Sequence, residues 1–334
     1  MAGGIARALL GPFAIRKAHA QEAAPRRDIL DVHAHLTPPQ YIQDMAGTNL
    51  IQPPTINWTP QKHIEDMDAA GVATAILSVT TPGVWFGDVE KARRISRYTN
   101  DYAASLVSTH KGRFGAFTAL PLPDTEGALR EIEYGLDQQK SDGVALFTNY
   151  GDKWLGDTAF DPVFAELNRR KAVVYVHPIA PTCCVNILPG VADALIEFGT
   201  DTTRAIANYV LRGAARRFPD VTMIWSHAGG TMPFLIERFD TIARFPKLLT
   251  HIPDGFRAEA RRFFYDTAQS ANPVSMSALR QVVPPSQIVF GTDYPFRTAG
   301  EHVTALEQGK VFSQDEMRGI WRGNAARILP QFAR

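Results

Sequence analysis

Eight short runs of apolar, often β-branched residues divide this chain at 28–32, 74–79, 114–120, 143–147, 172–176, 221–225, 263–266 and 287–290. Such runs, bounded by Gly and Pro, read as strands buried on both faces, as in a parallel sheet. Between them lie stretches of helical periodicity at 59–70, 88–109, 124–139, 162–170, 202–212, 232–245 and 272–280, and a last one at 313–328 closes the chain. Segment 162–170 has Pro162 at its start and Arg169 and Arg170 at its end, as helix chemistry prefers. Strand and helix alternating eight times predict an α/β fold, a (β/α)8 TIM barrel. At 334 residues and 45% hydrophobic content the chain is large enough for one barrel over 28–334. Segments 35–59 and 178–201, rich in Pro, Gly and Asn, read as insertions at the barrel mouth. There is no internal repeat and no low-complexity run.

Polar residues stand at the ends of four of these runs. The first leads into His33-Ala34-His35, the fifth into His177-Pro178, the sixth into His227-Ala228-Gly229-Gly230 and the eighth into Asp293-Tyr294-Pro295. In a barrel these ends share the C-terminal face, where active sites form. Residues i and i+2 of a strand point to one side, so His33 and His35 deliver two nitrogens together. A lone His-x-His arises by chance, and any single one of these histidines can be a hydrogen-bonded core residue. Four such ends in one sheet point to a shared metal site. His33, His35, His177 and Asp293 offer three nitrogens and a carboxylate, a set suited to one divalent ion, Zn²⁺ or alternatively Mn²⁺. His227 is then the candidate acid/base beside the ion. The other reading of Asp293 is a turn or helix-capping residue.

Formal charge is +1, with 35 Lys+Arg against 34 Asp+Glu and no basic stripe, which gives no electrostatic case for nucleic acid. No apolar run approaches the ~20 residues that cross a membrane. Cys183 and Cys184 are adjacent, and neighbouring cysteines bridge only with strain, so no disulfide framework is expected. They read as small packed residues or, alternatively, as a thiolate ligand. Residues 1–27 carry Arg7, Arg16 and Lys17 and the small-x-small triplet Ala18-His19-Ala20. They read either as a partial export signal, which would lead to the periplasm, or as a tail on a cytoplasmic enzyme.

The strand-end motifs, together with Ser226 before His227 and Gly291-Thr292 before Asp293, resemble those of the amidohydrolase superfamily. Within it they resemble the branch containing aminocarboxymuconate-semialdehyde decarboxylase. Thr148-Asn149-Tyr150-Gly151, Leu155-Gly156-Asp157 and Asp201-Thr202-Thr203-Arg204 are similar to 6-methylsalicylate decarboxylase-like members. The resemblance spans nearly all of 28–329. It implies metal ligation by His33, His35, His177 and Asp293, and acid/base chemistry at His227. Relatives that bridge two metals use a lysine after strand four. Here Phe147-Thr148-Asn149 holds none, which implies one metal. Arg238 matches an arginine that relatives supply across a dimer interface to the substrate carboxylate, implying a homodimer. Its alternative is a helix-surface salt bridge. Asn149, Trp85, Phe296 and Arg238 are the candidate substrate contacts, with Phe86 and Tyr150 as further aromatic lining.

Three functions follow for such a chain. The first is non-oxidative decarboxylation of an aromatic or enolic carboxylic acid, a small-molecule substrate that His227 or Asp293 protonates at the carbon bearing the carboxylate. The second is hydrolysis of a lactone or related carbonyl compound by metal-activated water. The third is a catalytically silent barrel kept for binding, against which the intact ligand set argues.

Overall fold

Each apolar run becomes a strand, and the eight hydrogen-bond in chain order into one sheet whose neighbours are all parallel. The structure, a computed structural model, describes residues 28–48 and 50–333. The strands are β1 (Ile29–Leu36), β2 (Val72–Val79), β3 (Phe114–Ala119), β4 (Gly143–Phe147), β5 (Val173–His177), β6 (Thr222–Trp225), β7 (Phe264–Asp266) and β8 (Ile288–Val289). Val32 N donates to Phe290 O at 3.0 Å and His35 N to Tyr294 O at 2.8 Å, which brings β8 back to β1 and rounds the sheet into a (β/α)8 barrel. The helices between are α1 (Pro60–Ala70), α2 (Val89–Thr109), α3 (Thr125–Glu133), α4 (Asp161–Arg169), α5 (Glu197–Leu211), α6 (Met232–Asp240), α7 (Pro273–Val282) and α8 (Ala299–Gly309). The signal-like segment 1–27 lies outside the described residues. Among the described residues no helix is long and apolar enough to cross a membrane.

The barrel interior is a cluster of Leu30, Val32, Ile76, Phe117, Tyr175, Ile224, Phe264 and Val289, closed from below by Ala325 and Leu329 near the C-terminus. Phe117 and Tyr175 stack there with ring centres 5.6 Å apart. Burying each such side chain contributes roughly 1.5–3 kcal/mol. Strict alternation would send Val32 and His33 to opposite faces. Instead the register of β1 against β2 slips between Asp31 and Ala34. Val32 stays in the inner cluster, and His33 also meets Tyr175 in that interior, 5.1 Å between ring centres. A bulge of this kind re-aims side chains at a barrel rim.

Several boundaries differ from the sequence reading. β1 runs on through both histidines to Leu36. The closing segment 313–328 is not one helix: Gln314–Arg318 and Asn324–Ile328 flank a widened turn at Gly319–Gly323. Two glycines weaken helix there, and Ile320 O is drawn off to accept from Phe290 N at 3.1 Å. The unanticipated α8 starts with a capping box between Thr298 and Glu301. The two mouth insertions hold short helices at Pro39–Asp44 and Pro53–Ile56, and single turns at Thr182–Cys184 and Asp193–Leu195. Both cysteines are free thiols, Cys183 exposed and Cys184 buried.

His63 of α1 is buried beneath the mouth. It stacks on Tyr294, 4.3 Å between ring centres, and Nδ1 accepts from Trp58 Nε1 at 3.3 Å. Burial pushes its pKa down to about 3, so the folded protein keeps it neutral. An unfolded chain protonates this side chain near pH 6.5. The stability it contributes is therefore complete above that pH and declines as the pH falls towards 3, by about 1.4 kcal/mol per pH unit. In urea melts from pH 6 to pH 4, His63→Gln should lose stability with pH more shallowly than the parent by that slope; parallel slopes would show that His63 is not the group responsible.

Candidate metal centre

Five buried side chains meet at the C-terminal mouth of the barrel. Nε2 of His35 lies 2.8 Å from Asp293 Oδ1, Nε2 of His33 lies 3.3 Å from it, and Nε2 of His177 lies 3.9 Å from it. His227 approaches the other oxygen, its Nε2 3.4 Å from Asp293 Oδ2. Donor atoms of His33, His177, His227 and Asp293 fall within 4.8 Å of one another, and His35 joins through His33, 3.2 Å between their Nε2 atoms. Proximity alone would admit either His35 or His227 as the third imidazole. The carboxylate separates them: Oδ1 faces His33, His35 and His177, whereas Oδ2 faces His227.

Local backbone chemistry sets these directions. Asp293 takes a left-handed φ of 65° while its N–H donates to His33 O at 2.8 Å, pinning β8 to β1. His227 and Ala228 have φ of 53° and 57°, sparsely populated values that turn the chain sharply at the end of β6. Gly230 continues the turn at φ 66°, where a Cβ would sit 2.0 Å from Gly199 O.

Each of three imidazoles turns Nδ1 outward. His33 Nδ1 donates to Asp266 Oδ2 at 2.8 Å and His177 Nδ1 to Pro178 O at 2.8 Å, while His35 Nδ1 lies 3.4 Å from Ser78 O. An Nδ1 that faces an acceptor carries the proton, which leaves the Nε2 lone pair aimed at the centre. Asp266, at the end of β7, also accepts through Oδ1 from His227 N at 2.9 Å and Ala268 N at 3.0 Å. Asp31 accepts from His33 N at 2.9 Å and from Thr292 Oγ1 at 2.6 Å, and burial raises its pKa to about 7. Burial drives His177 down to about 3 and lowers His35. Burial opposes a charge on His33 too, but Asp266 and Asp293 outweigh it and raise His33 to about 10, so a cation taking up its Nε2 would displace a proton there. Burial likewise acts against the charge on Asp293, yet His33 and the surrounding imidazoles hold its carboxyl well below the ordinary range.

Among the described residues, Nε2 of His177 and of His227 are buried without a hydrogen-bond partner. Orphaned lone pairs beside a carboxylate are costly unless something meets them. Three nitrogens and a carboxylate oxygen are the donor chemistry of a divalent ion. The centre is therefore a divalent-metal site of three histidines and an aspartate.

A cavity of about 520 Å³ opens above the cluster. His177, His227, Asp293 and Gln269 form its floor, with Phe198, Phe234, Phe296 and Leu195 around them. Among the described residues the wall carries no Lys or Arg. Of the four candidate substrate contacts, only Phe296 lines it. Asn149 spends both amide hydrogens elsewhere, Nδ2 donating to Ile179 O at 3.0 Å and Asp201 Oδ2 at 2.7 Å. Asp201 of α5, which also accepts from Trp154 Nε1 at 2.6 Å, thus ties the segment after β4 to α5. Trp85 and Phe86 are half-buried in the loop after β2, outside the wall, and Tyr150 accepts from Phe147 N at 3.0 Å through its hydroxyl. Arg238 is exposed on α6, outside this protomer's cavity. Sequence reasoning missed Asp266, Gln269 and Asp31. Asp266 alone had a signal, as the polar end of a seventh strand.

Fold and centre together define a metal-binding barrel with its chemistry at the strand C-termini. Residues 30–331 match the family described as Amidohydrolase, and the chain belongs to that family. It is 33% identical over 329 residues to the decarboxylase yanB of Aspergillus niger, covering 91% of this chain and 88% of that one. It is 37% identical over 276 residues to a 6-methylsalicylic acid decarboxylase of Penicillium expansum, covering 80% and 84%. A dihydroxybenzoic acid decarboxylase of Polaromonas, solved with bound manganese and 2-nitroresorcinol, superposes with a TM-score of 0.78 at 21% identity, over 91% of this chain and 97% of that one.

Because Asp266 fixes the His33 tautomer from outside the cluster, Asp266→Asn should weaken Zn²⁺ or Mn²⁺ binding about 10–100-fold without touching a ligand. Competition with a chromogenic chelator measures this, and unchanged affinity would remove Asp266 from the account.

Proposed function

We propose that this chain is a metal-dependent carboxy-lyase that decarboxylates a hydroxybenzoate-like aromatic acid without oxidation. The observation that carries the proposal is one cluster of buried imidazoles and a carboxylate at the floor of an otherwise uncharged, partly aromatic cavity. The decarboxylases among its relatives support it.

His33, His35, His177 and Asp293 would hold one ion, Zn²⁺ by donor set, with Mn²⁺ as the alternative that the manganese-bound neighbour favours. A bound divalent cation supplies Lewis acidity and neutralises negative charge on the substrate's oxygens. Phe198 and Phe296 present aromatic edges near the cluster, 5.9 Å from the His177 ring and 6.0 Å from the His35 ring between centres. They would hold an aromatic ring and keep water away from it. His227, protonated at Nε2, gives its proton to the ring carbon bearing the carboxylate. The carbon–carbon bond then breaks, its electron pair restores the aromatic ring, and CO₂ leaves. His227 regains its proton from solvent through the open side of the cavity. Asp293 Oδ2, 3.4 Å from that Nε2, stabilises the imidazolium and is the second candidate for the proton transfer.

Arg238 enters through a second copy of the chain. It is exposed on α6, the helix whose Phe234 lines the cavity, and in a homodimer it would serve the partner's substrate carboxylate.

Three measurements test this. The Mn²⁺- or Zn²⁺-loaded protein, given a panel of hydroxybenzoates and lactones, should release CO₂ and the corresponding phenol; acid release from a lactone with no CO₂ would make it a hydrolase. Elemental analysis should find about one metal per chain, and two tightly held ions would end the mononuclear reading. His177→Ala should lose metal and turnover together, whereas His227→Asn should keep its metal and lose turnover by about 10²-fold or more. A metal-free His227→Asn would make His227 a ligand.

A further inference from the structure

We infer that Gln269 is a positioning residue: it holds Asp293 so that one oxygen serves the metal ligands and the other serves His227. Gln269 follows β7 in the turn that Asp266 begins, and it lines the cavity. Its Nε2 donates to Asp293 Oδ2 at 2.9 Å. That is the oxygen facing His227, while Oδ1 faces His33, His35 and His177. A carboxylate is free to rotate about its last bond or to offer both oxygens to one cation. A donor fixed on Oδ2 removes both freedoms. It would leave Oδ1 free for a bound metal and keeps Oδ2 beside the imidazole that moves the proton.

Gln269 is itself held from behind. Its backbone sits at φ 55°, a left-handed value that a non-glycine residue keeps only when its surroundings enforce it. Its N–H donates to Nε2 of His302 at 3.0 Å. His302 is buried in α8, and its Nδ1 donates to Thr298 O at 3.0 Å. An imidazole that donates at Nδ1 and accepts at Nε2 is neutral in a single tautomer, and burial lowers its pKa in the same direction. The capping box of Thr298 and Glu301 anchors the start of that helix. A continuous path thus runs from α8 through His302 and Gln269 to the working oxygen of Asp293. The role in proton transfer rests on the proposed decarboxylation; the role in metal binding does not.

The test uses the full chain with two variants. Gln269→Met keeps length and removes the donor. Gln269→Glu places a carboxyl against Oδ2: ionised, it repels Asp293; protonated, it donates as the amide does. For Gln269→Met the Mn²⁺ dissociation constant, read by chelator competition, should rise about tenfold or more. Its kcat should fall about 10–100-fold with KM within about twofold. The activity of Gln269→Glu relative to the parent should rise as the pH is lowered through the introduced carboxyl's titration, while the same ratio for Gln269→Met stays flat. Parent-like Mn²⁺ affinity and kcat in Gln269→Met would overturn the inference. So would a change confined to KM, which would make Gln269 a substrate contact. The Mn²⁺ measurement needs no substrate, so a failure of the decarboxylase reading is seen separately, as absence of turnover in the parent.

Discussion

The site depends on one buried carboxylate that binds no metal in this scheme. Asp266 is fully buried at the end of β7, where an unpaired charge would be prohibitive. It is compensated three ways: by the Nδ1–H of His33, by the backbone N–H of His227 and by that of Ala268. Those partners belong to β1, to the turn after β6 and to the turn after β7. Satisfying one charge therefore fixes the spacing of three strand ends and the tautomer of one imidazole. Gly291 confirms how tightly this is drawn, since a Cβ there would lie 2.8 Å from His33 Cβ and 3.0 Å from Asp266 Cβ.

The rest of the cluster is built by bending backbone where side chains must converge. Regular strands would point successive residues away from each other. The register slip in β1 admits His33 to the interior beside Val32. Left-handed conformations at His227, Gln269 and Asp293 turn three further side chains towards the centre. Each such conformation costs of order 1–3 kcal/mol and survives because hydrogen bonds over-determine it. The bonds are identifiable: His227 N to Asp266, Gln269 N to His302 and Asp293 N to His33 O.

This division explains what could be read from the sequence. The eight strands were legible because parallel strands buried on both faces are predominantly apolar, so the charged and imidazole side chains where the runs end stand out. His33, His35, His177, His227 and Asp293 were legible for the same reason. Asp266 ends a strand as clearly, but a lone aspartate there has no partner within reach along the chain; its partner His33 is 233 residues away. Gln269 and His302 carry no local signature, since a loop amide and a helix histidine acquire meaning only once α8 is folded against the mouth. Asn149, expected to touch substrate, instead donates both amide hydrogens to Ile179 O and Asp201, which makes it a brace for the loop that follows β5.

The cavity wall bears on what chemistry the shared cluster serves. Hydrolysis needs a water delivered to a carbonyl and a path by which more water follows. Protonating an aromatic carbon needs the opposite, a ring held flat with water kept from the anionic face. Phe198, Phe234, Phe296 and Leu195 around a floor whose charged groups are all in one place suit the second demand. They also limit the substrate. With no Lys or Arg among the described wall residues, a second carboxylate on the ring would lose its hydration with nothing in this protomer to replace it. Within this protomer the metal cluster sets where charge is accepted, so selectivity among single-carboxylate aromatic acids falls largely to the neutral and apolar residues of the wall.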